Sequence, residues 1–255
     1  MRMRFLWRSE QTSLSSYAAW LEEIDTKNRE PGTSAPTLAA AWAGPLDLLG
    51  ALATNPELAH LTPFSVTVEE KASFDAYRGN VRIHDLVLRA ATAGGEPVVV
   101  CVEAKAGEPL GATVAEQTAA AAKAGRTNPR SNASARLNDL VARFCPHPPN
   151  DDRVEALRYQ LLTAWAGTLA DAVGSAHAIF AVHEFRTDRR PDDKTAINGA
   201  ELQRFGEVVL DCEVPPPGTV PWCVRVPNVP DVSAALYVAH LVTDLRADNV
   251  TARLR

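Results

Sequence analysis

Apolar residues recur at helical spacing early in the chain and then give way to short β-branched runs. Over residues 13–24, Leu14, Tyr17, Ala18, Leu21 and Ile24 trace one helix face, and Glu30-Pro31-Gly32-Thr33-Ser34 ends it. Leu38, Trp42, Leu46, Leu49 and Leu52 extend an apolar stripe that predicts helices over 36–43 and 45–53. From Phe64 the pattern changes. Residues 64–74 alternate as a strand, Arg78-Gly79-Asn80 offers a turn, and 81–89 and 98–105 read as two more strands. An alanine-rich stretch over 114–124 favours helix, and another short helix is expected over 135–144. A longer helix over 153–173 carries Val154, Leu157, Leu161, Trp165 and Leu169. Residues 176–185 and 207–214 read as buried strands, Pro215-Pro216-Pro217 closes the core, and an alanine-rich helix is expected over 233–245.

Helices, a three-strand meander, helices and further strands predict an α/β (α+β) fold with a mixed sheet flanked by helices. The expected division is a helical extension over 1–35, a core over 36–214 and a C-terminal cover over 215–255.

The third strand carries the chemistry. Val98 to Val102 are apolar on both faces, so the strand is expected to be central and covered on both sides. Glu103 and Lys105 share a face at its end, about 6–7 Å apart along the strand. Buried ions are costly unless they pair or bind a metal, so this placement requires a use. Register supplies the third group. If the second and third strands pair around Ala93-Gly94-Gly95, Asp85 lies opposite Glu103, with Cβ atoms about 4.5–5.5 Å apart. A two-residue loop would instead turn Glu103 away. Mg2+ prefers oxygen ligands and keeps several waters. Asp85, Glu103 and the carbonyl of Ala104 suit that ion (or Mn2+), with Lys105 positioning the attacking water and neutralising developing charge.

Asp85 followed by Glu103-Ala104-Lys105 resembles the D…ExK signature of the PD-(D/E)XK nuclease superfamily, the restriction-endonuclease-like fold. The element order over residues 36–186 is similar to that family's αβββαβ core. His84-Asp85-Leu86, Val102-Glu103-Ala104-Lys105 with Glu108, and Arg158-Tyr159-Gln160-Leu161-Leu162-Thr163 resemble an uncharacterised bacterial branch of it. The resemblance implies Mg2+-dependent hydrolysis of nucleic-acid phosphodiesters, DNA being the expected substrate. Many members dimerise, so a homodimer is an expectation from the same source. It also implies an acid on the preceding helix; Glu57 is the helix-side candidate and Glu70 the strand-side one. Pairing around Gly79-Asn80 would place Phe74 opposite Asp85 and leave Glu70 about 13 Å along the strand. In some members a Gln and a Tyr on the later helix touch the scissile region. That makes Gln160 the better candidate to hold water or phosphate, with Tyr159 and Arg158 beside it; core packing of Tyr159 and simple helix-surface positions for Arg158 and Gln160 explain the three equally well.

Other residues have plainer readings. His84 points away from Asp85 by strand parity and reads as structural. His183 and Glu184 lack a second histidine for a zinc-protease motif. Gln117 and Lys123 suit phosphate contact or simple exposure, and Glu108 suits a loop acid. Cys101 reads as a small core residue, and Cys145, His147, Cys212 and Cys223 fit no standard zinc spacing. There is no nucleotide-binding GxxxxGK[ST] loop, no GxSxG elbow and no GxGxxG after a strand.

Composition adds limits. A net charge of −5 argues against non-specific coating of nucleic acid, although Lys123, Arg126, Arg130, Arg136 and Arg143 form a local basic patch against Asp139 alone. No apolar run approaches the length a bilayer crossing needs, and the opening segment lacks the apolar stretch of a signal peptide. A cytoplasmic protein with no membrane partner is the expectation. From a different class, the same fold could act as a catalytically inactive binding or regulatory module, with Lys105 merely neutralising Glu103 or Asp85 beside a solvated strand end.

Overall fold

The meander expected in the middle of the chain is the centre of one mixed sheet. A computed structural model of the chain describes residues 4–7, 12–13, 34–41, 46–77, 82–188, 194–216, 221–227, 229 and 231–246. Its strands are β1 (Arg4–Trp7), β2 (Thr12–Ser13), β3 (Thr62–Ala72), β4 (Arg82–Ala91), β5 (Pro97–Lys105), β6 (His177–Arg186), β7 (Trp222–Arg225) and β8 (Ala235–Asp244). Among the described residues the sheet order is β2-β1-β3-β4-β5-β6-β8-β7. β4 runs antiparallel to its neighbours β3 and β5, whereas β5, β6 and β8 run parallel.

Helices cover both faces. Helices α1 (Ser34–Ala41) and α2 (Leu46–Leu52) put Leu38, Leu48 and Leu52 against Val66, Val68, Leu86, Leu88, Val100 and Val102. On the opposite face lie α3 (Val114–Thr127), α4 (Ala133–Phe144), the short α5 (Asp152–Glu155), α6 (Tyr159–Asp171) and α7 (Thr195–Phe205). There Leu137, Leu161 and Trp165 meet Val87, Val99, Cys101, Phe180 and Val182. Covered on both sides, every residue of β5 after Pro97 is buried, which is why its sequence is a continuous apolar run. No helix of the described residues is long and apolar enough to cross a membrane.

Several elements differ from expectation. Residues 233–245, expected as a helix, form β8, which pairs in parallel with β6 along its whole length. The expected cover, 215–255, therefore supplies two strands of the sheet. Likewise 1–35, expected as a helical extension, contributes β1, which pairs in parallel with β3. Residues 207–214, expected as a strand, begin as a π-helical turn (Gly206–Leu210) that ends at Asp211 in the left-handed region, φ 46°. The single helix expected over 153–173 is broken at Arg158, whose backbone is extended at φ −78°, ψ 118°. The break is held from outside: Val114 N–H donates to Leu157 O at 2.8 Å, and Tyr159 N–H to Ala112 O at 3.0 Å. Restarting the helix at Tyr159 puts Gln160 in its first turn, beside the end of β5. Of the helix expected over 13–24 only Ser13 is described, as part of β2; its other residues and the turn at Arg78-Gly79-Asn80 lie outside the described residues.

Candidate active site

The register that the site depends on is present. β4 and β5 pair with Ala91 opposite Pro97 and Leu86 opposite Val102. Thr92 N–H closes the connection on Glu96 O at 3.0 Å, leaving Ala93-Gly94-Gly95 as the loop. Gly95 adopts φ 83°, which an L side chain would strain. Continued one step, this register sets Asp85 opposite Glu103. The ladder itself stops at Leu86–Val102, and the Asp85 carboxylate takes over: its Oδ2 accepts from Ala104 N–H at 2.7 Å. In a strand, the N–H and C=O of one residue point to the same neighbour. The Ala104 carbonyl therefore faces the same gap as Asp85.

Glu103 is the hub. Its Oε1 accepts from Lys105 Nζ at 2.5 Å and from Gln160 Nε2 at 2.5 Å, and its Oε2 accepts from Arg82. The Glu103 side chain is 2 % exposed, that of Lys105 8 % and that of Arg82 10 %, so these charge-assisted bonds are only weakly screened. Gln160 is packed over Gly111, where a Cβ would stand 3.3 Å from Gln160 Oε1.

An irregular step in β3 and β4 brings Arg82 in. On either side of it the two strands keep one offset, with Val68 facing Leu86 and Glu70 facing His84. Yet Val68 and Leu86 pack under α1 and α2, whereas Glu70 binds Arg89 and His84 sits against Gly167 and Asp171 of α6. The inward–outward alternation thus reverses across Glu69 and Asp85. Glu69 makes the reversal with φ 53°, a conformation that costs a non-glycine residue about 1–3 kcal/mol. Strand parity places His84 on the face away from the site. The reversal puts it, with Arg82, on the α6 face.

The charges settle unequally. Burial, reinforced by the neighbouring Glu103, pushes the Asp85 carboxyl up to about 7. Burial also pushes Glu103 upward, but Arg82 and Lys105 outweigh it and hold Glu103 down at about 2. Burial disfavours the Lys105 ammonium, and the Glu103 and Asp85 charges more than restore it, so its pKa lies above the ordinary lysine value. The pair is therefore one firm carboxylate and one acid that titrates near neutrality, a separation that lets two carboxyl groups take different roles.

A family model described as a domain of unknown function, DUF6946, matches residues 13–230. The chain belongs to the DUF6946 family. Neither the curated proteins nor the solved structures give a match. The span assigned to DUF6946 includes β3 to β6 and every residue of the cluster just described.

Not all candidates converge on this DUF6946 cluster. Glu57 binds Arg225 at 2.8 Å and the Tyr237 hydroxyl at 2.5 Å, on the α1–α2 face and away from the end of β5. Glu70 is nearer than a tight turn at Gly79-Asn80 would put it, because nine residues, 73–81, separate β3 from β4. It is nevertheless held by Arg89, at 2.5 and 2.9 Å, rather than by the Asp85 pair. Arg158 donates to Gly111 O at 2.9 Å and to Glu201 at 3.2 Å, and Tyr159 is half-buried among apolar neighbours. Glu108 caps backbone: it accepts from Ala106 N–H at 2.9 Å and from Ser34 N–H at 3.1 Å. His183 binds Thr243 at 2.9 Å, and Glu184 binds His240 at 2.6 Å and Asn198 at 2.8 Å. Arg82 is the participant that sequence reasoning missed. The available signal was electrostatic: two carboxylates in apolar strands beside a single lysine leave one charge unbalanced.

Proposed function

We propose that this DUF6946 chain is a Mg2+- or Mn2+-dependent nuclease of the PD-(D/E)XK type. The observation that carries the reading is the convergence of Asp85, Glu103, Lys105 and Gln160 at the end of a buried central strand. The order of elements supports the fold assignment: helices, the antiparallel meander β3–β4–β5, helices, and β6 returning parallel to β5.

The donor set fits a hard divalent cation. Asp85 and the Ala104 carbonyl face one gap, and Glu103 is close enough for its charge to act on Asp85; such oxygen ligands suit Mg2+. Asp85 is held high chiefly by burial and next by the Glu103 charge, and a bound cation would favour its ionised form. Asp85 Oδ1 makes no hydrogen bond among the described residues. Asp85, Glu103 and the Ala104 carbonyl would hold the ion, which supplies Lewis-acid polarisation of the phosphate and a more acidic attacking water. Lys105 places a buried cation where negative charge develops on the phosphoryl oxygens. Gln160, fixed in the first turn of α6, can orient a water or a phosphate oxygen through its amide. Asp85 must be deprotonated to act as a ligand. Exposed Lys123, Arg126, Arg130 and Arg143 lie on or beside α3 and α4, the layer over the site face, and suit contacts to the nucleic-acid backbone.

One observation favours a second reading, a binding or regulatory module without cleavage. Both oxygens of Glu103 already accept hydrogen bonds, from Arg82 on one side and from Lys105 and Gln160 on the other. The test is incubation with single- and double-stranded DNA and RNA in Mg2+, Mn2+ or chelator. Metal-dependent cleavage that Lys105→Met removes supports the nuclease. Intact substrates throughout, with retained binding, would establish the module instead.

A further inference from the structure

We propose that His84, Cys101 and Asp171 form a second metal site, selective for Zn2+ and separate from the Asp85–Glu103 pair. Among the described residues this is the group whose His, Cys and carboxylate ligand atoms all lie within 4.8 Å of one another. His84 Nε2 is 3.6 Å from Asp171 Oδ2, and Cys101 Sγ is 3.7 Å from the same oxygen. Ligands bound at zinc distances in a tetrahedron stand about 3.3–3.7 Å apart. Two of the three spacings therefore already match, and the third needs only a small closure.

The case rests on His84. It is fully buried, and neither ring nitrogen makes a well-formed hydrogen bond: its polar neighbours are the Gly167 backbone and the Asp171 carboxylate, 3.6 Å from Nε2. A neutral imidazole carries one N–H and one lone pair; the Gly167 backbone and Asp171 lie beside Nε2, and Nδ1 is left buried without a partner. Buried polar groups are almost always satisfied, and exceptions call for an explanation such as an ion. The Cys101 thiol donating to Asp171 does not supply one, because it leaves the ring as it was. Gly167 makes room for that ring: a Cβ there would stand 2.6 Å from His84 Nε2.

A thiolate, an imidazole and a carboxylate form a borderline-soft set, which favours Zn2+ over Mg2+. Binding displaces the Cys101 thiol proton to solvent, and thiolate plus carboxylate then balance the ion's charge. The Asp171 side chain is 17 % exposed, so water can complete the fourth position. Glu70 next to it is engaged by Arg89. The ion would tie β4, β5 and α6 together beside the reversed step that turns Asp85 toward Ala104. The inference does not depend on nuclease activity.

The test uses the full chain without a histidine tag, loaded with Zn2+ or Co2+ and desalted. We expect one Zn2+ per chain by elemental analysis and a near-ultraviolet thiolate-to-Co2+ band. Both should disappear in Cys101→Ser, His84→Gln and Asp171→Asn, and persist in Asp85→Ala. A chain with Cys145→Ser, Cys212→Ser and Cys223→Ser keeps Cys101 as its sole thiol and should retain the band. That variant decides the matter even if Cys101→Ser fails to fold. Absence of zinc and of the band in the wild type, loss of the band in the triple variant, or zinc retained in folded Cys101→Ser and His84→Gln overturns the site.

Discussion

Replacing Arg82 with Met separates the electrostatics of the cluster from its packing. Methionine fills much of the arginine stem's volume, so the change removes charge with little added cavity. Losing one partner of a buried ion pair costs about 3–5 kcal/mol when the other is left uncompensated. Glu103 is not left alone, because Lys105 and Gln160 still donate to Oε1. Arg82 also has a buried Nε with no hydrogen bond, and deleting an unsatisfied donor returns about 1 kcal/mol. The net expectation is a loss of roughly 2–3 kcal/mol in chelator. With the Oε2 side of Glu103 free, a divalent ion faces less competition in the variant than in the wild type. At a concentration 100-fold above its Kd, an ion adds about 2.7 kcal/mol, enough to restore the variant to near wild-type stability. Urea unfolding with and without Mg2+ measures both quantities. A variant as stable as wild type in chelator, or one that gains no more from Mg2+ than wild type does, refutes the assignment of Arg82 as the counter-charge that a metal replaces.

Other outcomes follow from the same geometry. Gly167→Ala should destabilise by about 1–3 kcal/mol through overpacking against His84 and Ala72, despite the roughly 1 kcal/mol that Ala gains over Gly in a helix; a thermal melt at or above the wild-type midpoint would contradict the close packing. Cleavage at subsaturating Mg2+ should rise with pH up to about 7 and then level, because a proton on Asp85 competes with the ion; a profile flat from pH 5 to 9 contradicts the raised pKa. In chelator the linkage signs oppose each other. Asp85, raised in the fold, contributes stability that is lost as pH rises toward 7, whereas Glu103, lowered, contributes stability that is lost as pH falls toward 2. Asp85→Asn should therefore flatten the first limb of a stability–pH curve and leave the second.

The parts of this molecule that were legible in sequence are those set by local chemistry. The three meander strands and their glycine loop are written in alternation and turn residues, and the β4–β5 register follows from loop parity. β8 was not legible because a parallel strand buried on both faces shows no period of two. Ala235, Ala239 and their apolar neighbours read equally well as helix. The break at Arg158 depends on pairing with residues 112–114, which are remote in sequence. The positions of Arg82 and His84 escape sequence reasoning for one reason: parity arguments assume unbroken alternation, and it reverses where the site is built, at the left-handed Glu69 on β3 and at Asp85 on β4.

In the proposed nuclease site Asp85 and Glu103 share one divalent ion. Mn2+ titration followed by electron paramagnetic resonance at pH 8, after any zinc is loaded, tests it directly. The expected result is one Mn2+ per wild-type chain, lost in Asp85→Asn and in Glu103→Gln and retained in Cys101→Ser. A wild-type chain that binds no Mn2+, or binding indifferent to Asp85→Asn and Glu103→Gln, contradicts it.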